Sequence, residues 1–106
     1  MRLEVDRFYY KPLPSCMTIK QSTIEGLGAF AIEDIKKGYD FGTGYIKVPY
    51  IIGYIRTPVG AFLNHSKEPN CDIIELINWD DYKVYNIFSI RKIEKDEELT
   101  LDYGNH

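Results

Sequence analysis

Short segments rich in isoleucine, valine, tyrosine and phenylalanine recur between turn signals along this sequence. Such residues favour strands, and the glycine, proline, asparagine and aspartate between them favour turns. The sequence therefore predicts a mostly-β fold with little helix. The predicted strands are Leu3 to Phe8, Met17 to Gln21, Ala29 to Ile32, Tyr39 to Phe41, Tyr45 to Val48, Cys71 to Asn78, Lys83 to Ile90 and Leu99 to Tyr103.

One hairpin is clearer than the rest. In INWDDYKVYNIFSI, two β-rich runs flank a polar turn around Asp80 and Asp81. Helical turns are expected only at Pro58 to Leu63 and at Glu33 to Lys36.

Length and charge limit the function classes. A chain of 106 residues fits one domain with one core. The formal charge of -3 offers no basic field for nucleic acid, whereas an acidic surface tolerates a basic protein partner. No apolar run approaches the ~20 residues of a membrane span, and the start has no secretory pattern. We therefore expect neither nucleic-acid nor membrane binding, and an intracellular, cytosol-like location.

The two cysteines are far apart and lack CxxC spacing. Cys16 and Cys71 fit neither a zinc site nor a disulfide framework, so both are interpreted as reduced, buried thiols. His65 lacks a second histidine and a carboxylate at ligand spacing. No metal site is predicted.

The segment GLGAFA, from Gly26 to Ala31, is the first candidate for a binding site. Two glycines at this spacing let a backbone turn tightly and approach a ligand closely. A dinucleotide-binding fingerprint is excluded because the third glycine and the following helix are missing. Alone, the segment is more typical of a simple glycine turn before a strand.

The segment FLNHSKEPNC, residues 62 to 71, places two amides, an imidazole, a hydroxyl and a thiol together. The amide of Asn64 can hold a ligand's amino or carboxylate group while also bonding the backbone. Taken singly, His65 is more typical of a core histidine bonded to main chain than of a catalyst. Ser66, Pro69 and Asn70 are typical of caps and turns.

The segment EELTLDYG, from Glu97 to Gly104, delivers an acid and a phenol at the end of an alternating strand. On its own it is typical of an edge strand with Tyr103 as an aromatic filler.

Together, GLGAFAIEDIKKG, FLNHSKEPNC and DEELTLDYG resemble the SET-domain protein lysine methyltransferases, in particular minimal viral or phage-type members. The resemblance implies a single SET domain over residues 1–106, with the motifs in about 17–104 and no flanking zinc segments. The implied fold is a β-clip of small curved sheets. Its C-terminal segment forms a pseudoknot that joins the Asn-His and Asp-Tyr stretches, an unusual topology for a chain.

The same resemblance implies the site residues. The backbone of Gly26, Leu27 and Gly28 would cradle S-adenosylmethionine, together with Asn64 and His65. Tyr103 would lie where the methyl group is transferred to a lysine amine. Asp102 would be structural, with His65 helping to hold the pseudoknot.

A second aromatic side chain is expected beside Tyr103 in the lysine channel. Tyr45, Tyr50 and Tyr54 are the candidates, although each is also typical of a core or surface aromatic. The channel should be dry, because desolvation disfavours the ammonium form of the substrate lysine.

The sequence departs from larger relatives of this family in two places. The segment from Gly38 to Phe62 is short where relatives have a substrate-gripping insert, and no aromatic or cysteine-rich segment follows Gly104. We expect another element to close the channel, either an N-terminal arm with Phe8, Tyr9 and Tyr10 or a second copy in a homodimer.

Two further hypotheses stay open at this point. One is an inactive SET-fold module that binds a peptide or partner, and the other is a small β-rich interaction protein without a cofactor. For the enzyme, a histone or another basic protein is the expected substrate, with a nuclear location in the histone case.

Overall fold

The protein is described by a computed structural model over residues 12–105. The predicted strand from Leu3 to Phe8 and the predicted arm of Phe8, Tyr9 and Tyr10 lie outside the described residues.

Strands dominate the described part of the chain. In order they are β1 (Met17–Gln21), β2 (Leu27–Ala31), β3 (Asp40–Lys47), β4 (Ile55–Arg56), β5 (Asn64–His65), β6 (Cys71–Trp79), β7 (Tyr82–Ser89) and β8 (Glu98–Leu101). One four-residue helix, α1 (Pro58–Ala61), lies between β4 and β5, and a 3-10 turn covers Tyr103–Asn105. The predicted mostly-β class, with small curved sheets and little helix, is confirmed.

The first sheet has the strand order β1-β2-β8-β5. β8 pairs antiparallel with β2 on one side and parallel with β5 on the other. A parallel pair cannot be closed by a tight hairpin and needs a long connection. Here that connection contains β6 and β7, so the last strand lies between two segments that precede it by many residues.

The second sheet has the order β4-β3-β7-β6. β6 and β7 form the predicted hairpin, in which Trp79 pairs with Tyr82 across the turn of Asp80 and Asp81. Asp80 has φ 54, in the left-handed region that aspartate tolerates better than most residues. The hairpin prediction is confirmed.

Tyr39 to Phe41 and Tyr45 to Val48 were predicted as two strands, but they belong to one strand, β3. Its pairing with β7 is interrupted by register shifts at Gly42 and before Tyr45. Gly42 has φ 98 and marks a bulge, since glycine inside a strand often accommodates an extra residue. The glycines therefore bend the strand without ending it.

The helical turn predicted at Glu33 to Lys36 is wrong. Ile35 forms an antiparallel bridge with Ile93, in which each N–H donates to the other carbonyl at 2.7 and 2.9 Å. Both side chains are buried, so packing overrides the local helical preference. The last strand is also shorter than predicted, because it ends at Leu101 and Tyr103 begins the 3-10 turn.

The buried core draws on strands of both sheets and includes Ala29, Ile87, Leu99 and Leu101. Cys16 and Cys71 are buried free thiols, as predicted. Burial raises the pKa of Cys71 to about 12, so its thiol stays neutral inside the core.

Candidate functional site

The pairing of β5 with β8 brings the FLNHS and LDYG stretches together. Asn64 lies opposite Thr100 and His65 opposite Leu101, and the N–H of Ser66 donates to the carbonyl of Leu101 at 2.9 Å. The two stretches that the family resemblance pairs are therefore neighbours in the fold.

His65 contacts the residues after β8 through its ring. The backbone N–H of Tyr103 donates to Nδ1 of His65 at 3.1 Å, so the neutral ring carries its proton on Nε2. Nδ1 also lies 3.7 Å from Oδ1 of Asp102, and the His65 ring stacks on Tyr103 with centroids 6.2 Å apart. The imidazole thus fixes the position at which the chain turns away from β8.

A cleft of about 280 Å³ opens beside Tyr103. Its aromatic lining, called here the tyrosine cleft, consists of Tyr45, Tyr54, Tyr85 and Tyr103. The remaining lining residues are Gly53, Arg56, Ile73 and Leu101. Tyr45 and Tyr85 are register partners on β3 and β7, so their side chains share one face of the second sheet.

The deep end of the cleft is formed by two phenol groups. The O–H of Tyr103 donates to the carbonyl of Leu63 at 2.5 Å, and that of Tyr45 donates to the carbonyl of Gly60 at 3.0 Å. The two oxygens are 3.3 Å apart. Burial, reinforced by the neighbouring Tyr103, raises the pKa of Tyr45 well above its usual range. Tyr45 is therefore a neutral phenol at physiological pH.

Tyr54 and Tyr85 form the outer wall of the cleft. Tyr54 meets Tyr45 and Tyr85 edge to face, with centroids 6.5 and 5.7 Å apart. Desolvation, followed by hydrogen bonding to Tyr54, raises the pKa of Tyr85 to about 12. Sequence reasoning missed Tyr85, which the strand pairing with Tyr45 would have revealed.

Tyr50, the third channel candidate, lies elsewhere. Its side chain is fully exposed and its backbone has φ 72, in the loop between β3 and β4. Tyr45 and Tyr54 line the tyrosine cleft, whereas Tyr50 does not.

The turn between β1 and β2 ends at Gly26, the first residue of the glycine segment, and the rest of that segment is β2. Gly26 has φ 48, and its carbonyl accepts the N–H of Ser22 at 2.7 Å, closing the turn. Leu27, half exposed, begins β2. At Gly28 a Cβ atom would overlap Oε2 of Glu98, so a larger residue there would require the Glu98 side chain to move.

The side chain of Asn64 joins this turn to β8. Its Nδ2 lies 2.7 Å from Oε2 of Glu98, 3.1 Å from Oγ of Ser22 and 3.1 Å from the carbonyl of Glu25. Ser22 also donates to the Glu98 carboxylate at 2.7 Å. We call Ser22, Asn64 and Glu98 the Glu98 cluster. Ser22 and Glu98 were not among the predicted site residues.

Asn70, interpreted from sequence as a turn residue, instead holds β8 in place. Its side chain donates to the carbonyl of Glu98 at 2.8 Å and accepts the N–H of Thr100 at 2.9 Å. The residue is buried, with 2% of its surface exposed. An amide with one donor end and one acceptor end can satisfy both backbone groups at once.

Two other kinds of site were sought in residues 12–105. No group of three or more histidine, cysteine, aspartate or glutamate side chains there could hold a metal ion. Within the same residues, no helix is long and apolar enough to cross a membrane.

Known proteins share both the sequence motifs and the fold. The chain is 39% identical over 64 residues to the probable histone-lysine N-methyltransferase set-23 of Caenorhabditis briggsae, covering 60% of this chain and 26% of that protein. It is 46% identical over 48 residues to a histone-lysine N-methyltransferase, H3 lysine-4 specific, of Emericella nidulans, covering 45% of this chain and 4% of that protein. The chain thus spans about a quarter or less of these relatives.

A solved structure and a family match complete the comparison. The crystal structure of a candidate histone methyltransferase from Plasmodium falciparum superposes with a TM-score of 0.70. It covers 88% of this chain and 96% of that one at 22% identity, which shows a common fold. The sequence model described as "SET domain" matches residues 45–104, more than half of the chain. The tyrosine cleft and the Glu98 cluster are assembled around the same motifs. Because the match covers more than half of the chain, this chain belongs to the SET domain family.

Proposed function

We propose that this chain is a protein-lysine N-methyltransferase that uses S-adenosylmethionine. The observation that carries the proposal is the tyrosine cleft, whose inner phenols lie next to the Asn64–His65 strand. The names of the relatives, which are histone-lysine methyltransferases, support the same reaction class.

The residues around the glycine turn fit the cofactor. When bound, S-adenosylmethionine would supply a methyl group on a positively charged sulfur. Ile24 and Leu27 are half exposed and offer apolar contact, and space is open where a Cβ of Gly26 would point. We assign its binding to the backbone of Gly26, Leu27 and Gly28, to Asn64 and to His65.

The tyrosine cleft fits the side chain of a substrate lysine. Presenting a neutral amine at pH 7.5 costs about 4 kcal/mol, given a lysine pKa near 10.4. Ile73 and Leu101 line the cleft with apolar surface, and the positive charge of Arg56 disfavours a second cation there. The cleft therefore lowers the cost of holding the amine unprotonated.

The phenols would also orient that amine. The hydroxyl of Tyr103 donates its proton to the carbonyl of Leu63, and that of Tyr45 donates to the carbonyl of Gly60. Their oxygens can then accept N–H bonds from the amine, leaving its lone pair directed at the methyl group. We assign Tyr103 as the catalytic residue and Tyr45 and Tyr54 as channel residues, and we add Tyr85 to the channel.

Methyl transfer from radiolabelled S-adenosylmethionine to histones and other basic proteins tests the proposal directly. Label on lysine is the expected result. Tyr103→Phe should lower turnover about 100-fold and keep cofactor affinity, because it removes an oriented polar group near the reacting atoms. Tyr50→Phe, a tyrosine outside the cleft, is the control and should keep full turnover. A collapse of cofactor affinity in Tyr103→Phe would contradict the assigned role.

The second candidate function is an inactive SET-fold module that binds a peptide or partner. The exposure of the cleft favours it, since 53% of Tyr54 in its outer wall and 39% of Tyr103 remain accessible to solvent. Water in the cleft would weaken the effect on the lysine pKa. Cofactor binding without transfer to any basic protein would support this second candidate.

We also propose that the protein is a minimal SET protein of the viral or phage type, because the segment between Gly38 and Phe62 is short. The proposal also includes a basic protein substrate, supported by the acidic charge balance and by the histone relatives. A second copy of the chain would close the exposed cleft in a homodimer. A strictly monomeric protein in sedimentation that still methylates lysine would rule the dimer out.

A further inference from the structure

One row of side chains crosses all four strands of the second sheet at the tyrosine cleft. Arg56 on β4 is the register partner of Tyr45 on β3, and Tyr45 is the partner of Tyr85 on β7. Glu75 on β6 is the partner of Tyr85 and completes the row. Register partners on neighbouring strands share one face of a sheet. The row, called here the charged row, therefore has a cation at one end, a carboxylate at the other and two cleft phenols between them.

The charged ends of the row lie close to its phenols. Desolvation is the main cause that raises the pKa of Tyr45, and the positive charge of Arg56 partly offsets it. Desolvation and then Tyr54 raise the pKa of Tyr85 to about 12, and hydrogen bonding to Glu75 contributes. Both charged side chains are exposed, so a ligand that enters the cleft can reach them.

Neither charge is neutralised within the part of the chain that the structure describes. None of the ion pairs of residues 12–105 includes Arg56 or Glu75. Glu75 accepts a hydrogen bond from the neutral amide of Asn78 at 3.0 Å, which leaves its charge in place. The two ends are three strand spacings apart, about 14 Å, which exceeds the screening length of about 8 Å at physiological ionic strength. Each end can therefore attract a ligand charge of the opposite sign.

We propose that the charged row selects substrates in which the methylated lysine lies between an acidic residue on one side and a basic residue on the other. The acidic residue would pair with Arg56 and the basic residue with Glu75. This inference rests on the proposed function and names the class of peptide that the tyrosine cleft accepts. The reversed order would bring like charges together at both ends, which is repulsive.

The strand spacing sets the distance of these residues from the lysine. An amine held by the phenols of Tyr45 and Tyr103 lies about one strand from Arg56 and two strands from Glu75. An extended peptide advances about 3.3 Å per residue, against about 4.8 Å per strand. A peptide that crosses the cleft along the row therefore needs its acidic residue next to the lysine and its basic residue about three positions away on the other side.

Methylation of short synthetic peptides tests the inference. One peptide contains the order Glu-Lys-Ala-Ala-Arg, the second contains the reverse order Arg-Ala-Ala-Lys-Glu, and the third has glutamine at both charged positions. The direction of the peptide across the row decides which charged peptide is preferred. That peptide should exceed the neutral one about fivefold in kcat/KM at low salt, the effect of exposed ion pairs. The gain should lie in KM and disappear in about 0.5 M NaCl, because screened charges outside the reacting atoms contribute to binding only.

Exchange of the two charges gives the decisive variant. In the double variant Arg56→Glu with Glu75→Lys the net charge is unchanged, and the preference should pass to the other charged peptide. Both positions are exposed, so the protein should stay folded. The control, Glu33→Lys with Lys37→Glu, makes the same exchange at exposed positions outside the cleft and should keep the original preference.

A single neutral variant resolves the two ends of the row. Glu75→Gln should remove the discrimination between arginine and glutamine in the peptide and keep that between glutamate and glutamine. Loss of both together would show a general effect on the cleft and overturn the assignment of one charge to each end.

The outcomes separate this inference from the proposed function. Equal methylation of the three peptides, or a preference that the charge exchange leaves unchanged, overturns the inference and leaves the methyltransferase proposal intact. Methylation of no protein or peptide contradicts the proposed function. The same ranking in peptide binding, measured by fluorescence anisotropy, would then still support recognition by the charged row, whereas no peptide binding would overturn both.

Discussion

The tyrosine cleft and the Glu98 cluster lie beside the same last strand but work by different physical means. The cleft is made of rings, and burial there raises the pKa of the Tyr45 phenol. The cluster is made of a carboxylate, a hydroxyl and an amide, and its effect is directional hydrogen bonding. The protein therefore combines an aromatic region with a polar one beside a single strand.

Both regions depend on one buried side chain, so the largest expected effect comes from Asn70→Ala. This change would leave the carbonyl of Glu98 and the N–H of Thr100 without partners. Two buried unsatisfied groups cost about 3 kcal/mol in the free energy of unfolding. Urea unfolding measures this loss, and ligand binding at both regions should weaken together.

Asn78→Ala is the matched control. Asn78 is exposed on β6, where it donates to Glu75 at 3.0 Å. Surface changes of this kind stay within about 0.5 kcal/mol. Equal losses in the two variants would show that Asn70 does not hold β8.

A substitution at Gly28 should separate the two regions. In Gly28→Ala the new methyl group would lie 2.3 Å from Oε2 of Glu98 and displace the carboxylate from Ser22 and Asn64. Because the carboxylate is the end of a flexible side chain, this displacement should cost little stability. Affinity for S-adenosylhomocysteine should fall about tenfold with the lost charged hydrogen bond, while phenol titration in the cleft stays unchanged. Unchanged affinity would show that the cluster does not contact the ligand.

The cleft should give the protein a distinctive response to alkaline pH. The pKa of Tyr85 is about 12 in the fold, against about 10 in an unfolded chain. Between these values the unfolded chain releases a proton that the folded chain retains, so stability falls as pH rises from about 10 to about 12. Tyr85→Phe should make this decline shallower in urea unfolding at several pH values. An identical slope in both proteins would refute the prediction.

The smallest effects distinguish Tyr54 from Tyr50. Tyr54→Ala removes two edge-to-face contacts and should cost about 1 kcal/mol in unfolding free energy. Tyr50→Ala removes a fully exposed side chain and should change stability by less than about 0.5 kcal/mol. Turnover should fall only in Tyr54→Ala. The reverse result would show that the cleft is not the lysine channel.

Local patterns were sufficient to predict the strands that pair through short turns. β1 was predicted at its observed bounds, and the β6–β7 hairpin follows from β-rich runs around two aspartates. β3 was predicted as two separate strands because glycine is common both in turns between strands and in bulges within a strand.

The long-range pairings could not be predicted from local sequence. β5 has only two residues, and its strand character depends on β8, which follows more than thirty positions later. The roles of Asn70 and Glu98 likewise depend on hydrogen bonds to groups that are distant in the sequence. Local sequence patterns do not contain this information. The family resemblance predicted that the Asn-His and Asp-Tyr stretches lie together, but it predicted neither Tyr85 nor the contacts of Ser22 and Glu98 with Asn64.

The position of β8 between β2 and β5 has a consequence for how the protein acquires its site during synthesis. A nascent chain that has reached only residue 97 lacks the Glu98 carboxylate, the neighbour of β5 and the phenol of Tyr103. Non-local pairings of this kind form late, because distant segments must be brought together first. Both regions therefore form only after β8 pairs with β2 and β5, so ligand binding reports that this pairing has taken place.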